Sequence, residues 1–112
     1  IGSAETYYQL RRELKTGETV DQRKLMKELI ELQYKRNDLD FKRGTFRVRG
    51  DVLDIFPSHM ASNAWRLSFF GDEIERITEF DTLTGETFGE LPSVVVFANS
   101  HYVTPRPKLE RA

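Results

Sequence analysis

The chain has 112 residues, a formal net charge of −1, and a composition of 38% hydrophobic, 12% aromatic and 31% charged residues. That is enough chain for one ordinary domain and too apolar for disorder, and no apolar run nears the ~20 residues of a bilayer helix. With no cysteine, disulfides, thiol catalysis and thiolate metal sites are excluded together.

In chain order, Ser3 reads as an N-cap and Glu5 suits the positive end of a first helix. Tyr7, Leu10 and Leu14 follow at helical spacing, and Gly17 ends the run. Asp21 caps a second helix, with Val20 and Leu25 spaced for a hydrophobic staple. Leu25, Met26, Leu29, Ile30 and Leu32 make its apolar stripe, and Arg23, Lys24, Lys27, Glu28 and Glu31 its wet face. This stripe is packing, not a cofactor box.

After Asn37-Asp38 the period changes to that of strands. Phe46 and Val48 alternate with Thr45, Arg47 and Arg49, then Leu53 and Ile55 with Val52, Asp54 and Phe56. A two-residue turn at Gly50-Asp51 repairs the phase between the runs. It sets Val48 opposite Leu53, Phe46 opposite Ile55 and Arg47 opposite Asp54. A second hairpin over 65–80 turns at Gly71-Asp72, pairing Phe69 with Ile74 and Ser68 with Glu75. Its far strand spaces Ile74, Ile77 and Phe80 by three, which predicts a bulge near Glu75-Arg76. Thr84-Gly85 supplies the next turn. The unbroken apolar run 94–97 suits a central strand, with Pro92 confined to its start and Pro105 and Pro107 ending regular structure. The expected fold class is α+β: one domain over 1–112, an antiparallel sheet of about five strands built from hairpins and packed against two N-terminal helices.

Motifs for catalysis are missing. There is no GxxxxGK[ST], GxGxxG or GxSxG string. His59 and His101 lie far apart without partners at motif spacing, so both read as ordinary surface histidines. Asp72, Glu73 and Glu75 lack EF-hand spacing and read as a solvated acidic edge, so no metal site is expected. Charge, however, is segregated. Over 35–49 six basic residues stand against two acidic, a net +4; over 71–91 seven acidic stand against Arg76, a net −6.

Arg47 and Arg49, two apart in one strand, emerge from one face about 7 Å apart. Arg66 joins them if the hairpins are neighbours. The residues alone leave three readings open. Arg47 pairs locally with Asp54 and the others are solvated; or the arginines bind a protein; or they bind phosphates. The string 43–48 echoes an RNA-recognition motif weakly, since Thr45 and Arg47 stand where stacking rings belong.

RGTFRVRGDVLDIFP (43–57), with QYKRNDLDF (33–41), FFGDEIERI (69–77), DTLTGE (81–86) and SHYVTPRP (100–107), resembles the UvrB family of excinuclease proteins over essentially the whole chain. The resemblance covers only that family's inserted interaction domain (domain 2). It accounts for a start at Ile1-Gly2-Ser3 without methionine, as an excised piece would have. The resemblance implies a cytoplasmic adaptor in bacterial nucleotide excision repair, which docks UvrB onto UvrA, the damage-sensing component of the excinuclease. A monomer is expected because two helices covering the sheet leave no apolar face over. The parent protein uses ATP in its motor lobes. The phosphate loop and the DNA-probing hairpin lie outside this chain, so no ATPase, catalysis or cofactor is expected of it, and DNA is met only through the full complex. By motif, the partner contacts fall on Arg36, Arg47, Arg49 and Arg66. Relatives commonly carry glutamate where this chain has Ser68, and Glu75, opposite it in the expected register, is placed to compensate. The competing expectations are a DNA-contacting domain using the same arginines and a purely structural insertion.

Overall fold

A computed structural model describes residues 11–99. Along them run β1 (Arg11–Lys15), α1 (Gln22–Glu31), β2 (Lys35–Arg36), β3 (Thr45–Arg49), β4 (Val52–Phe56), β5 (Asn63–Phe70), β6 (Glu73–Asp81), β7 (Thr87–Glu90) and β8 (Ser93–Phe97). Strands β2 to β7 form a six-stranded sheet in chain order, while β1 and β8 make a separate antiparallel ribbon. Every pairing in the large sheet is antiparallel except that of β2 with β3, which is parallel. No described helix is long and apolar enough to cross a membrane.

The caps of α1 follow from its sequence. The Asp21 carboxylate accepts the Arg23 N–H at 3.4 Å, and Val20 and Leu25 are both buried in the main core. At the other end Gln33 N–H donates to Ile30 O and Tyr34 N–H to Leu29 O, closing a Schellman motif. Gln33 holds the left-handed position there, with φ 71°, where glycine is usual. Leu29 and Tyr34 supply the accompanying apolar contact inside the core. Ile30 does not join the stripe as expected and is 54% exposed. The helix lies down along Leu25, Leu29 and Leu32, and Ile30 is rotated about 100° from Leu29.

The C-terminal end of the first expected helix is corrected. The part of that helix over residues 3–10 lies outside the described residues, but Leu14 sits in strand β1, paired with Val94 of β8. The run 94–97 accordingly belongs to a ribbon strand and not to a central strand of the main sheet. Both departures have one cause. Leu14, Val94 and Val96 are buried on the ribbon's inner side, and that burial, available only after a contact some 80 residues away in sequence, outweighs weak local helix spacing. Among the described residues, then, one helix and a two-stranded ribbon cover the sheet. Arg12 ties ribbon to helix: Nε donates to Glu28 at 2.7 Å and Nη2 to Glu18 at 2.6 Å.

The hairpin β3–β4 has the expected register, with Phe46 opposite Ile55, Arg47 opposite Asp54 and Val48 opposite Leu53. Gly50 opens its turn at φ 63°. In β5–β6 Phe69 pairs with Ile74, but Ser68 pairs with Arg76, not Glu75. The bulge falls where the spacing placed it, and Glu75 is the extra residue. Alternation gives the sheet two faces. The first carries Phe46, Leu53, Ile55, Leu67 and Ile77 into the main core under α1 and the ribbon. The second carries Arg47, Arg49, Asp54, Arg66 and Ser68, along with Phe56, Ala64 and Phe80, a smaller cluster against which Phe41 and Met60 pack.

Candidate functional site

On the second face the registers align residues in rows across the strands. One row reads Arg47, Asp54, Arg66, Thr78 and Glu90; the next, toward the Gly50 turn, reads Arg49, Val52, Ser68 and Arg76. Adjacency of β4 and β5 therefore brings Arg66 to the same face as Arg47, meeting the condition that the two hairpins be neighbours. Asp54, 1% exposed, lies between the two. Its Oδ2 accepts Arg47 Nε at 2.9 Å; Arg66 closes a two-pronged pair, Nε to Oδ1 at 2.9 Å and Nη2 to Oδ2 at 3.2 Å.

Two guanidiniums on one carboxylate leave one positive charge uncompensated. Both arginines also lie against rings: Arg47 is 4.2 Å from the Phe41 centroid and Arg66 4.3 Å from that of Phe80. Such cation–π contacts contribute about 0.5–2 kcal/mol each. Phe41 itself stacks at 6.3 Å on Phe80 and tilts at 5.5 Å on Phe56. The side chains of Arg47 and Arg66 keep 22% and 30% of their surface in solvent. Among the described residues, none accepts from the Nη groups of Arg47 or from Nη1 of Arg66. The arrangement holds planar, partly exposed donors in place at little remaining entropic cost, which suits carboxylate recognition.

The other two arginines stand apart from this pair. Arg49 is exposed and has no ion pair among the described residues. Arg36 aligns with Phe46 in the β2–β3 register and so belongs to the opposite, helix-covered side, where Nη1 reaches Met26 Sδ at 3.9 Å. Its guanidinium straddles Asp38, with Nε 3.2 Å from both carboxylate oxygens. Asp38 also accepts the Val48 N–H at 3.1 Å. The Arg36 hydrogen bond and then the Val48 N–H hold the Asp38 carboxyl below the usual aspartate range, against a smaller opposing effect of burial.

Sequence reasoning missed the floor of the site. Phe41 carried no periodic signal, being a loop residue that only folding brings beneath Arg47. It missed Arg43, which donates to Ala61 O at 2.6 Å and lies 6.0 Å from the Phe56 centroid. It also missed Arg76, which the bulge places beside Ser68 and which reaches Glu90 at 3.4 Å. The spacing of Ile74 and Ile77 held that signal. Glu75, offered as the partner of Ser68, is the bulged residue and does not face it. His59 is exposed in the turn after Pro57, and Asp72, Glu73 and Glu75 are all exposed. His101 lies outside the described residues.

Residues 13–102 match the family model described as the UvrB interaction domain. All 112 residues align at 55% identity with a UvrABC system protein B of Caldicellulosiruptor saccharolyticus, and at 54% with that of Caldicellulosiruptor bescii. In each case the chain spans 17% of the relative's length. The chain belongs to the UvrB interaction domain family.

Proposed function

We propose that this chain is a docking module of a nucleotide excision repair protein, whose arginine-bearing sheet face binds an acidic patch on UvrA, the damage-sensing component of the excinuclease. In this reading the 112 residues form one adaptor domain, without catalysis or a cofactor of its own, acting in the cytoplasm within a larger ATP-using protein. The observation that supports it best is the Arg47–Asp54–Arg66 arrangement, a pair of arginines aligned by one buried carboxylate with donors left over for a partner. Arg49 adds a charge one row away that has no ion pair among the described residues. An acidic protein surface answers that pattern, whereas phosphates of random sequence need no such alignment.

The test is calorimetric titration of the chain with cognate UvrA, with random duplex DNA as control. Arg49→Glu is the informative variant, because Arg49 is exposed and makes no ion pair among the described residues. Reversing Arg47 instead sets two carboxylates side by side and confounds binding with stability. The expected result is micromolar or tighter binding, weakened at least ~10-fold by Arg49→Glu, and no comparable binding to duplex. Equal affinity for duplex and UvrA would favour DNA contact. Absence of binding to UvrA, with the fold intact, would leave a structural spacer.

A further inference from the structure

Strands β1 and β8 align from Lys15 with Ser93 to Arg11 with Phe97, a ribbon about 14 Å long. The described fold is therefore entered and left side by side, at the Arg11–Phe97 end. Because the chain spans 17% of each relative, in a protein of that length the ribbon is where the rest of the molecule carries this domain.

The two strands are fastened differently. On β8, Val94 and Val96 are buried in the core, and just beyond it the Asn99 N–H donates to Leu32 O at the end of α1, at 2.9 Å. On β1, Leu14 is buried, but the other inward position, opposite Val96, holds Arg12. Each nitrogen of its guanidinium has its own acceptor. Nε donates to Glu28 of α1 at 2.7 Å, Nη2 to Glu18 at 2.6 Å, and Nη1 to the Glu13 carbonyl of its own strand. Glu18 is anchored in turn: its carboxylate accepts the Lys15 N–H at 3.2 Å, and its carbonyl accepts the Ile74 N–H of β6 at 2.8 Å. One side chain thus joins ribbon, helix and sheet. Arg12, Glu18 and Glu28 keep only 22%, 25% and 26% of their side-chain surface in solvent, so salt and water screen the clamp less than an ordinary surface pair.

We infer that Arg12 is a positioning residue: it sets the angle between ribbon and sheet, and so the direction in which the arginine face points from the rest of a longer protein. A ribbon fastened along β8 alone can twist about that strand. A second attachment near the outer end of β1 removes the twist. Directional hydrogen bonds suit this task, whereas apolar burial, which has no direction, fixes depth and leaves angle free. None of the docking arginines takes part, since Arg47, Arg49 and Arg66 lie on the other face of the sheet.

The experiment compares the wild type with Arg12→Gln, and with an exchange of charges, Arg12→Glu together with Glu28→Arg. NMR on the full chain reads the ribbon directly. In Arg12→Gln the order parameters of amides 11–13 should fall from about 0.85 to below about 0.6. Residual dipolar couplings of the ribbon should cease to fit the orientation of the sheet, whose own amides keep their shifts. The charge exchange should restore both. In a full-length UvrB-family protein carrying this chain, energy transfer is read between a dye at Leu83→Cys, an exposed site, and a dye on the remainder. Its distribution should broaden in Arg12→Gln and narrow again in the exchange. Unchanged couplings and order parameters in Arg12→Gln, or no recovery in the exchange, overturn the clamp. A released ribbon with unaltered energy transfer overturns the positioning role, and disturbance of the whole sheet would make Arg12 merely structural. No readout involves UvrA, so failure of the docking reading is a separate result.

Discussion

Asp54 is the residue on which the arginine face depends. Its two oxygens take three N–H donors from two neighbouring strands, so the carboxylate acts as a template for the positions of Arg47 and Arg66. Breaking a buried ion pair from one side is costlier than removing both partners, because the surviving charges remain desolvated. Asp54→Asn keeps the shape and removes the charge, leaving the two cations adjacent. Partial exposure of both arginines tempers the penalty, and the expected loss is about 3 kcal/mol in urea denaturation, with a reduced midpoint and an unchanged slope. A loss under about 0.5 kcal/mol would mean that solvent already screens the pair. The arginine reading was available from sequence because the turn at Gly50-Asp51 fixed Arg47 opposite Asp54. The second arginine on the same carboxylate was not, since it depends on which hairpin lies beside β4.

At the scale of elements, the β2–β3 edge combines a structural cap with a candidate contact. Asp38 is more acidic than an ordinary aspartate because Arg36 and the Val48 N–H both favour its charged form. A carboxyl whose folded pKa is depressed adds stability above its unfolded pKa, and the contribution is lost as pH falls through the folded value. The edge therefore loosens as pH falls through the lowered Asp38 value. An NMR titration following the Val48 amide should show its inflection below the ordinary aspartate range, rising in Arg36→Gln. An inflection at or above that range would show the bond to be absent in solution. The elements themselves were unevenly legible. Both hairpins were visible in period two and glycine-led turns, and so was the bulge, from the three-residue spacing of Ile74, Ile77 and Phe80. β2 was not, since Lys35 and Arg36 are a strand only because Phe46 and its neighbours offer a parallel edge.

Across the whole molecule, charge is polarised. The +4 stretch over 35–49 forms one side of the sheet, β2 and β3, and the −6 stretch over 71–91 forms the other, β6 and β7. A net charge of −1 hides a dipole across the strands. If an acidic patch is the partner, this field speeds correctly oriented encounters and slows reversed ones. The association rate for UvrA, read by stopped flow, should then fall by roughly tenfold or more between low and physiological salt, while dissociation changes little. A rate indifferent to salt would count against steering.

Sequence by itself determined the local grammar of this protein: the cap and staple of α1, the two hairpins with their turns, the segregation of charge and the arginines on alternating positions. Each of these is written in neighbours a few residues apart, where period and turn chemistry act. The tertiary structure decided the rest. Leu14 became strand because Val94 and Val96 bury it from the far end of the chain, and Phe41 became the floor beneath Arg47 because the loop 37–42 folds over an edge. Asp54 acquired its second arginine because β5 lies beside β4. Burial and pairing between distant segments carry more free energy than local spacing, and they are settled only when the sheet closes.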